Sequence, residues 1–264
     1  MKTIKKFLIK FLPESNRFER IWKLAQVDFK KRFYNDRLGI LWALLNPFFQ
    51  ISIYYFLFTY ILKQSQENFA IFIFAGFIVW MTFNESAVKG MNILRSKRYL
   101  IENIQFNHID LFISGTIGTF LGTSFNILAY LLICILTGVK ITHHLIWLPL
   151  IMCNLFIFCI GVSLILSTIK IYLQDITHAW AIFVIAGFWG SGIFFPAENI
   201  YNAWPPIVFL NPLIGIIDNL RQITIYMNQP NIETMSINYL TSFIILILGI
   251  IIFKKYSFKA IELM

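Results

Sequence analysis

Seven stretches of this chain run without a charged side chain: 40–62, 68–84, 111–139, 141–169, 176–197, 199–217 and 234–253. A helix rises about 1.5 Å per residue, so about 20 apolar residues cross a hydrocarbon layer of about 30 Å. Six of the stretches predict spanning helices. The exception, 199–217, carries Pro205, Pro206 and Pro212 with Asn199, Asn202 and Asn211. Prolines lack the amide hydrogen and clash with the preceding turn, so this run predicts a bent or re-entrant element. The predicted spans are 40–62, 68–88, 111–136, 145–169, 176–197 and 236–253, with 198–235 as an outer re-entrant or gate region. The fold expected is therefore an all-α membrane protein, a single transmembrane domain over 1–264.

Ahead of the first span, Phe18, Ile21, Trp22, Ala25, Phe29 and Phe33 recur at helical spacing, with Lys23, Lys30 and Lys31 between them. That periodicity predicts an amphipathic interface helix inside the cytoplasmic segment 1–39, begun by a capping box of Asn16 and Glu19. A membrane anchor explains it, and a protein-docking role is open beside that. The start of the chain has the basic and apolar look of a signal peptide, but Lys10 interrupts the run and Pro13-Glu14 stands where a cleavage site belongs, so the segment is read as retained.

Six spans place both termini on one side, and Lys and Arg choose the side. Eleven lie in 1–39, four in 85–110, one in 170–175 and three in 254–264, nineteen in all against Lys63, Lys140 and Arg221 elsewhere. The N- and C-termini are expected in the cytoplasm. A seventh span over 199–217 would send Lys254, Lys255 and Lys259 outside.

Composition fits the pattern: 58% of 264 residues are hydrophobic and 13% charged, where soluble domains carry about a quarter charged. The net charge of +9 crowds between apolar runs rather than over a polar surface, which points to membrane lipid and not to nucleic acid. With 28 Phe, 11 Tyr and 7 Trp, the chain has more aromatic surface than interfacial belts need.

Candidate chemistry is sparse. Cys134, Cys153 and Cys159 sit in apolar runs without metal-ligand spacing, and His108, His143, His144 and His178 lie near span ends. There is no phosphate loop, no H-E-x-x-H and no dinucleotide fingerprint. The sequence Trp189-Gly190-Ser191-Gly192 lacks the first glycine of an intramembrane protease motif. Glu85 and Lys89 have the spacing of a local pair. Residues 89–110 read either as a partner-docking helix or as a basic loop that enforces topology. Ser114, Gly118 and Gly122 form a small-xxx-small stripe, for packing inside the bundle or as a homodimer seam. Gly187, Gly190 and Gly192 lie among Phe188, Trp189, Phe194 and Phe195, which fits a path wall or a lipid-facing belt, and Asp218 and Arg221 stand three apart on a short helix.

Against this background the chain resembles the transmembrane subunit of bacterial ABC type-2 exporters, particularly those for lipid-linked O-antigen, capsular or teichoic-acid polymers. The resemblance runs nearly end to end. It rests on Lys31-Arg32-Phe33-Tyr34 with Leu38-Gly39-Ile40-Leu41-Trp42 and Asn46-Pro47, and on Phe74-Ala75-Gly76 with Trp80 and Phe83. Leu100-Ile101 with Phe106, Tyr172 with Asp175-Ile176, Ser191 with Phe195-Pro196, and Asn211-Pro212 with Arg221 continue it. The chain departs from that pattern at Asn107, Gln174 and Gly192.

The resemblance implies a homodimer bound to two copies of an ABC ATPase subunit. That partner would carry the ATP and Mg, while this chain binds no cofactor or metal and has no catalytic residue. It implies a multi-pass protein of the bacterial plasma membrane acting on a lipid-linked glycan. The residues expected along the substrate path are Tyr54, Tyr55, Trp80, Phe83, Phe188, Trp189, Phe194 and Phe195. Those expected against the ATPase are Arg32, Leu94, Arg98, Tyr99, Leu100, Ile101, Tyr172 and Asp175, and the outer gate is expected at Pro196, Asn211, Pro212, Asp218 and Arg221. The spans equally suit an exporter of a drug or small lipid, and a membrane-embedded enzyme or scaffold is the rival from another class.

Overall fold

The computed structural model describes residues 17–33, 39–61, 63, 68–103 and 107–262, and within these not the side chains of 32–33, 40, 43–44, 46–47, 51 and 257–262. Asn16, Tyr34, Leu38 and Phe106 fall outside the described residues, as do the side chains of Arg32, Phe33, Asn46 and Pro47.

Among the described residues the chain is helical, with no strand. The helices are α1 (Arg17–Phe33), α2 (Trp42–Phe56), α3 (Phe69–Ser96), α4 (Arg98–Asn103), α5 (Ile109–Leu136), α6 (Leu148–Tyr172), α7 (Ile176–Gly190), α8 (Ala197–Ala203), α9 (Ile207–Leu210), α10 (Pro212–Thr224) and α11 (Ile232–Glu262). A 3-10 turn, Gly39–Leu41, leads into α2, and a π turn, Leu57–Ile61, continues it.

Four helical stretches are long and apolar enough to cross a membrane: Phe69–Ser96, Ile109–Leu136, His143–Tyr172 and Ile232–Tyr256. They coincide with the second, third, fourth and sixth predicted spans. The first and fifth appear as shorter apolar helices. The fifth departs most from its predicted range, 176–197. α7 stops at Gly190 after 15 residues, about 22 Å at ~1.5 Å each. The chain then turns through Gly192, whose φ of +74° only glycine adopts freely, to Pro196 at the N-cap of α8. α3, by contrast, outruns its predicted end, so 89–96 is helix rather than loop.

α3 is the centre of the bundle, with Phe72, Ile73, Ala75 and Val79 almost fully enclosed. In an apolar solvent burial of hydrocarbon does little to hold helices together, and close packing with interhelical hydrogen bonds takes over. The Thr82 and Thr123 hydroxyls meet at 2.8 Å between α3 and α5, Ser242 donates to Asn154 at 2.6 Å between α11 and α6, and the Ser163 hydroxyl reaches the Ser86 carbonyl at 3.0 Å. Glycines allow the approach. A Cβ at Gly161 would lie 2.7 Å from the backbone nitrogen of Leu246 on α11. The obstacle is backbone, which no rotamer relieves, so Gly161→Ala is expected to force α6 and α11 apart. The loss should be about 1–3 kcal/mol, read as a lower unfolding temperature in detergent; an unchanged temperature contradicts this packing.

α1 does not lie free on the membrane surface. Its buried Ile21 and Ala25 rest on the small-residue stripe of α5, where a Cβ at Gly118 would stand 3.2 Å from the Ala25 carbonyl oxygen. The stripe therefore serves packing within the chain, with α1 as the helix packed. Ion pairs hold both halves of α1. Fully buried Asp110, in the first turn of α5, accepts from Arg17 at 2.6 Å and Arg20 at 3.0 Å, and Lys97 binds Asp28 at 2.5 Å. Phe18 and Trp22, beside Ile21 and Ala25 on the flank of the same apolar face, stay exposed and available to lipid. The apolar exteriors of α5 and α11, among them Leu128, Leu132, Ile244 and Ile251, have the same character.

Candidate functional site

Three features hold the candidate residues: an aromatic groove between α2, α3 and α7, an arginine clamp at one end of the bundle, and a basic face at the other.

The groove follows from helical phase. Gln50, Ile53 and Tyr54 share a face of α2, and Phe77, Trp80, Met81 and Asn84 share a face of α3. With Phe188 and Trp189 of α7 they enclose about 470 Å³. Tyr54 is the hub, its ring 5.5 Å from Phe77, 5.8 Å from Phe188 and 5.1 Å from Phe194. Trp80 crosses to α7 over Gly187, where a Cβ would come within 2.8 Å of its Cη2. Gly187 thus makes room for a ring, whereas Gly190 has open space beside it. Two amides interrupt the aromatic lining, and the Oδ1 of Asn84 is buried without a hydrogen-bond partner among the described residues. Aromatic faces beside an unsatisfied amide suit a molecule with both CH-rich faces and hydroxyls.

Not every residue expected on the path faces the groove. Phe83 is buried between Phe158 and Trp180, and Phe194 is fully buried against Phe58. Both are packing residues of the single chain in this conformation. Trp80 is nearly buried, with part of its ring on the groove. Tyr55 is exposed and does not line the groove, and Phe195 is exposed in the turn after α7. No residue of α7 is buried, although the helix is apolar throughout.

The clamp centres on Arg221 of α10, which is 1% exposed. Its Nη1 donates to the carbonyls of Gly192 at 2.7 Å and Phe195 at 3.4 Å, its Nη2 to Ile193 at 2.7 Å and Phe72 at 3.1 Å, and its Nε to Phe72 at 3.2 Å. The guanidinium also lies 3.4 Å above the Phe72 ring. Arg221 therefore ties α10 to the start of α3 and to the turn after α7. Gly76 makes this possible, since a Cβ there would stand 3.1 Å from Nη2. Around the clamp, Asn211 caps α10 by accepting from Leu213 N and reaches Ser191 at 3.4 Å, with Pro212 in the first turn.

The basic end gathers the C-termini of α3 and α6, α4, and the N-termini of α5 and α7. Tyr99 is 75% exposed, and Arg98 is exposed and paired with Glu102 at 2.5 Å. Leu100 and Ile101 are half-buried beside them, Asp175 is exposed ahead of α7, and exposed Tyr172 donates to the Tyr256 carbonyl at 3.1 Å. Arg32 lies in the last turn of α1. Leu94 is the correction here: it is 1% exposed in a core with Ile93, Leu111 and Phe112, so it is not presented to a partner.

Residues 19–225 match the ABC-2 type transporter membrane family. The chain belongs to that family. It is a multi-pass membrane protein of transport type. It is 27% identical to the O-antigen export system permease protein RfbA of Klebsiella pneumoniae over 252 residues, 94% of this chain and 95% of that protein. It is 24% identical to RfbA of Myxococcus xanthus over 80% of this chain and 82% of the relative. To the polysialic acid transport protein KpsM of Escherichia coli it is 24% identical over 86% of this chain and 89% of the relative.

Sequence reasoning missed Gln50, Phe77 and Asn84 in the groove. The signal was present for Asn84: it is a polar side chain four residues after Trp80, on the same face of an otherwise apolar helix.

Proposed function

We propose that this chain is the membrane-spanning subunit of an ATP-driven exporter that moves lipid-linked polysaccharide, of O-antigen, capsular or teichoic-acid type, from the cytoplasm to the outer face of the plasma membrane. The observation that carries this reading is the aromatic groove with its unsatisfied Asn84 amide, in a chain whose relatives are named for O-antigen export and polysialic acid transport. Sugar rings lay CH faces on aromatic faces while hydroxyls meet amides, and a column of such sites lets a long chain slide without a deep binding minimum.

In this reading α2 and α7, with their flanking turns, complete six passes. The basic end faces the cytoplasm, as the Lys and Arg distribution requires. Two copies assemble through the exposed apolar sides of α2 and α7, so the half-open grooves join into one channel. α1, α4 and the 170–175 turn receive the two ATPase subunits, which supply ATP hydrolysis. The α8–α10 segment folds back at the outer end as a gate, held by Arg221.

Alanine at Tyr54, Phe188 and Trp189 tests the channel, since these rings line the groove without being fully buried. Each ring contact is worth on the order of 1 kcal/mol, so the triple variant is expected to abolish surface glycan. Its abundance and co-purification with the ATPase should match the parent. Undiminished export by the triple variant would falsify the aromatic channel.

A further inference from the structure

A second cavity, of about 120 Å³, opens at the basic end between the last turns of α3 and α6, with α4 at its rim. Arg95, Arg98, Ser167, Lys170 and Gln174 face it above an apolar floor that includes Met91. Among the described residues no carboxylate lines it. Glu102 answers Arg98 from α4, but Arg95 has no hydrogen bond or ion pair among the described residues.

The polar groups here are arranged rather than scattered. Lys170 donates to Asn92 Oδ1 at 2.6 Å, and the Asn92 amide nitrogen is itself fixed on the Val88 carbonyl at 2.8 Å. One of the three donors of the ammonium is thereby used and the others remain. Ser167 is 1% exposed, and its hydroxyl has no partner among the described residues. A helical hydroxyl ordinarily turns back to the carbonyl four residues earlier, as neighbouring Thr168 does to Leu164 at 2.8 Å. Ser167 leaves that bond unmade while lining a cavity of cations.

We propose that this cavity is an oxyanion site that takes a phosphate group, either from the headgroup of an anionic lipid or from a soluble phosphate. Two cations beside a buried unsatisfied hydroxyl are unfavourable until an anion joins them. The volume has room for one tetrahedral oxyanion. Inorganic phosphate offers three or more terminal oxygens to Arg95, Lys170 and Ser167 together, and a phosphodiester headgroup offers two terminal oxygens in a tetrahedral array with two ester oxygens. The site lies at the basic ends of apolar helices, the depth at which basic pockets meet lipid phosphates. It stands whether or not the exported molecule is a glycan.

The test uses the full chain purified with its ATPase partner in neutral detergent. Phosphatidylglycerol, phosphatidylcholine and inorganic phosphate are titrated separately, with bound equivalents read by native mass spectrometry and stability by unfolding temperature. One saturable equivalent of phosphatidylglycerol or of inorganic phosphate is expected, with a raised unfolding temperature, and phosphatidylcholine should not compete. Preference for phosphatidylglycerol names a lipid as the source, and preference for inorganic phosphate names a soluble one. Arg95→Gln with Lys170→Gln should weaken binding by about tenfold or more, while Lys254→Gln, on exposed α11 surface, should not. If the double variant fails to fold, Ser167→Ala supplies the comparison, with binding weakened several-fold. Absence of a saturable site, or equal binding by parent and variants, overturns the proposal. Loss of the ATPase from the double variant without phosphate binding by the parent also overturns it, assigning these cations to a carboxylate of the partner.

Discussion

Arg221→Met is expected to be the most damaging single substitution in the half of the molecule that holds α8–α10. Methionine fills much of the same space but donates nothing, so the carbonyls of Phe72, Gly192, Ile193 and Phe195 lose their common donor. A buried acceptor left unsatisfied costs about 1–3 kcal/mol. The Phe72 carbonyl keeps its bond within α3, so at ~1 kcal/mol for each of the other three the loss is about 3 kcal/mol, a large share of the stability of an ordinary domain. The turn after α7 should detach from α3, lowering both the unfolding temperature and the amount of protein in the membrane. Arg221→Lys keeps the charge, but a single ammonium cannot bridge carbonyls from two segments as the planar fork does. It should fall between parent and methionine variant. Parent-like stability of Arg221→Met would show that the clamp is not what holds the segment.

Asp110→Asn is expected to release α1. The carboxylate is fully buried and receives Arg17 and Arg20, and it lies in the first turn of α5, where a negative charge also meets the positive end of the helix dipole. Asparagine preserves shape but withdraws the charge from both guanidiniums. Each arginine side chain is nearly a third exposed, so water compensates part of the loss, and about 2 kcal/mol is a reasonable magnitude. Since Lys97–Asp28 and the Gly118 contact remain, the effect should be local. Trypsin should cut after Lys23 several times faster while the unfolding temperature of the bundle changes little. Parent-like cleavage would mean that Asp110 does not hold the helix. If α1 transmits ATPase closure, glycan export should fall in parallel.

Much of the fold is legible in the sequence because membrane helices announce themselves by length and apolarity. The docking of α1 was half legible. The Phe18 to Phe33 periodicity gives the helix and the Ser114, Gly118 and Gly122 stripe gives a close approach, but nothing local links the two. That link is Asp110, which the sequence shows only as one acid between Ile109 and Leu111. Hydropathy runs unbroken from Ile176 to Pro196, so it misses the end of α7 at Gly190, which depends on a left-handed φ at Gly192. Aromatic abundance pointed to the groove without sorting its members. Phe83 and Phe194 turned inward and Trp189 outward because of helical phase and turn geometry, whereas Asn84 could have been found from its phase with Trp80. Arg221 read as a gate residue three after Asp218 on a short helix, because spacing along one helix is visible in a sequence. Carbonyls of α3 and of the turn after α7 are not, and Gly76 is a trace the clamp leaves elsewhere in the chain.

The sidedness of lipid-linked glycan in cells lacking this protein tests the proposed transport role most directly. In deletion cells, an impermeant glycan-cleaving enzyme is applied to intact cells and to inverted membrane vesicles, and the lipid-linked glycan accessible to each is measured. Export by this chain predicts glycan accumulating on the cytoplasmic face, absent from the surface, and restored to it by the parent protein but not by the Tyr54, Phe188 and Trp189 triple alanine variant. An unchanged surface glycan with no cytoplasmic accumulation would contradict it.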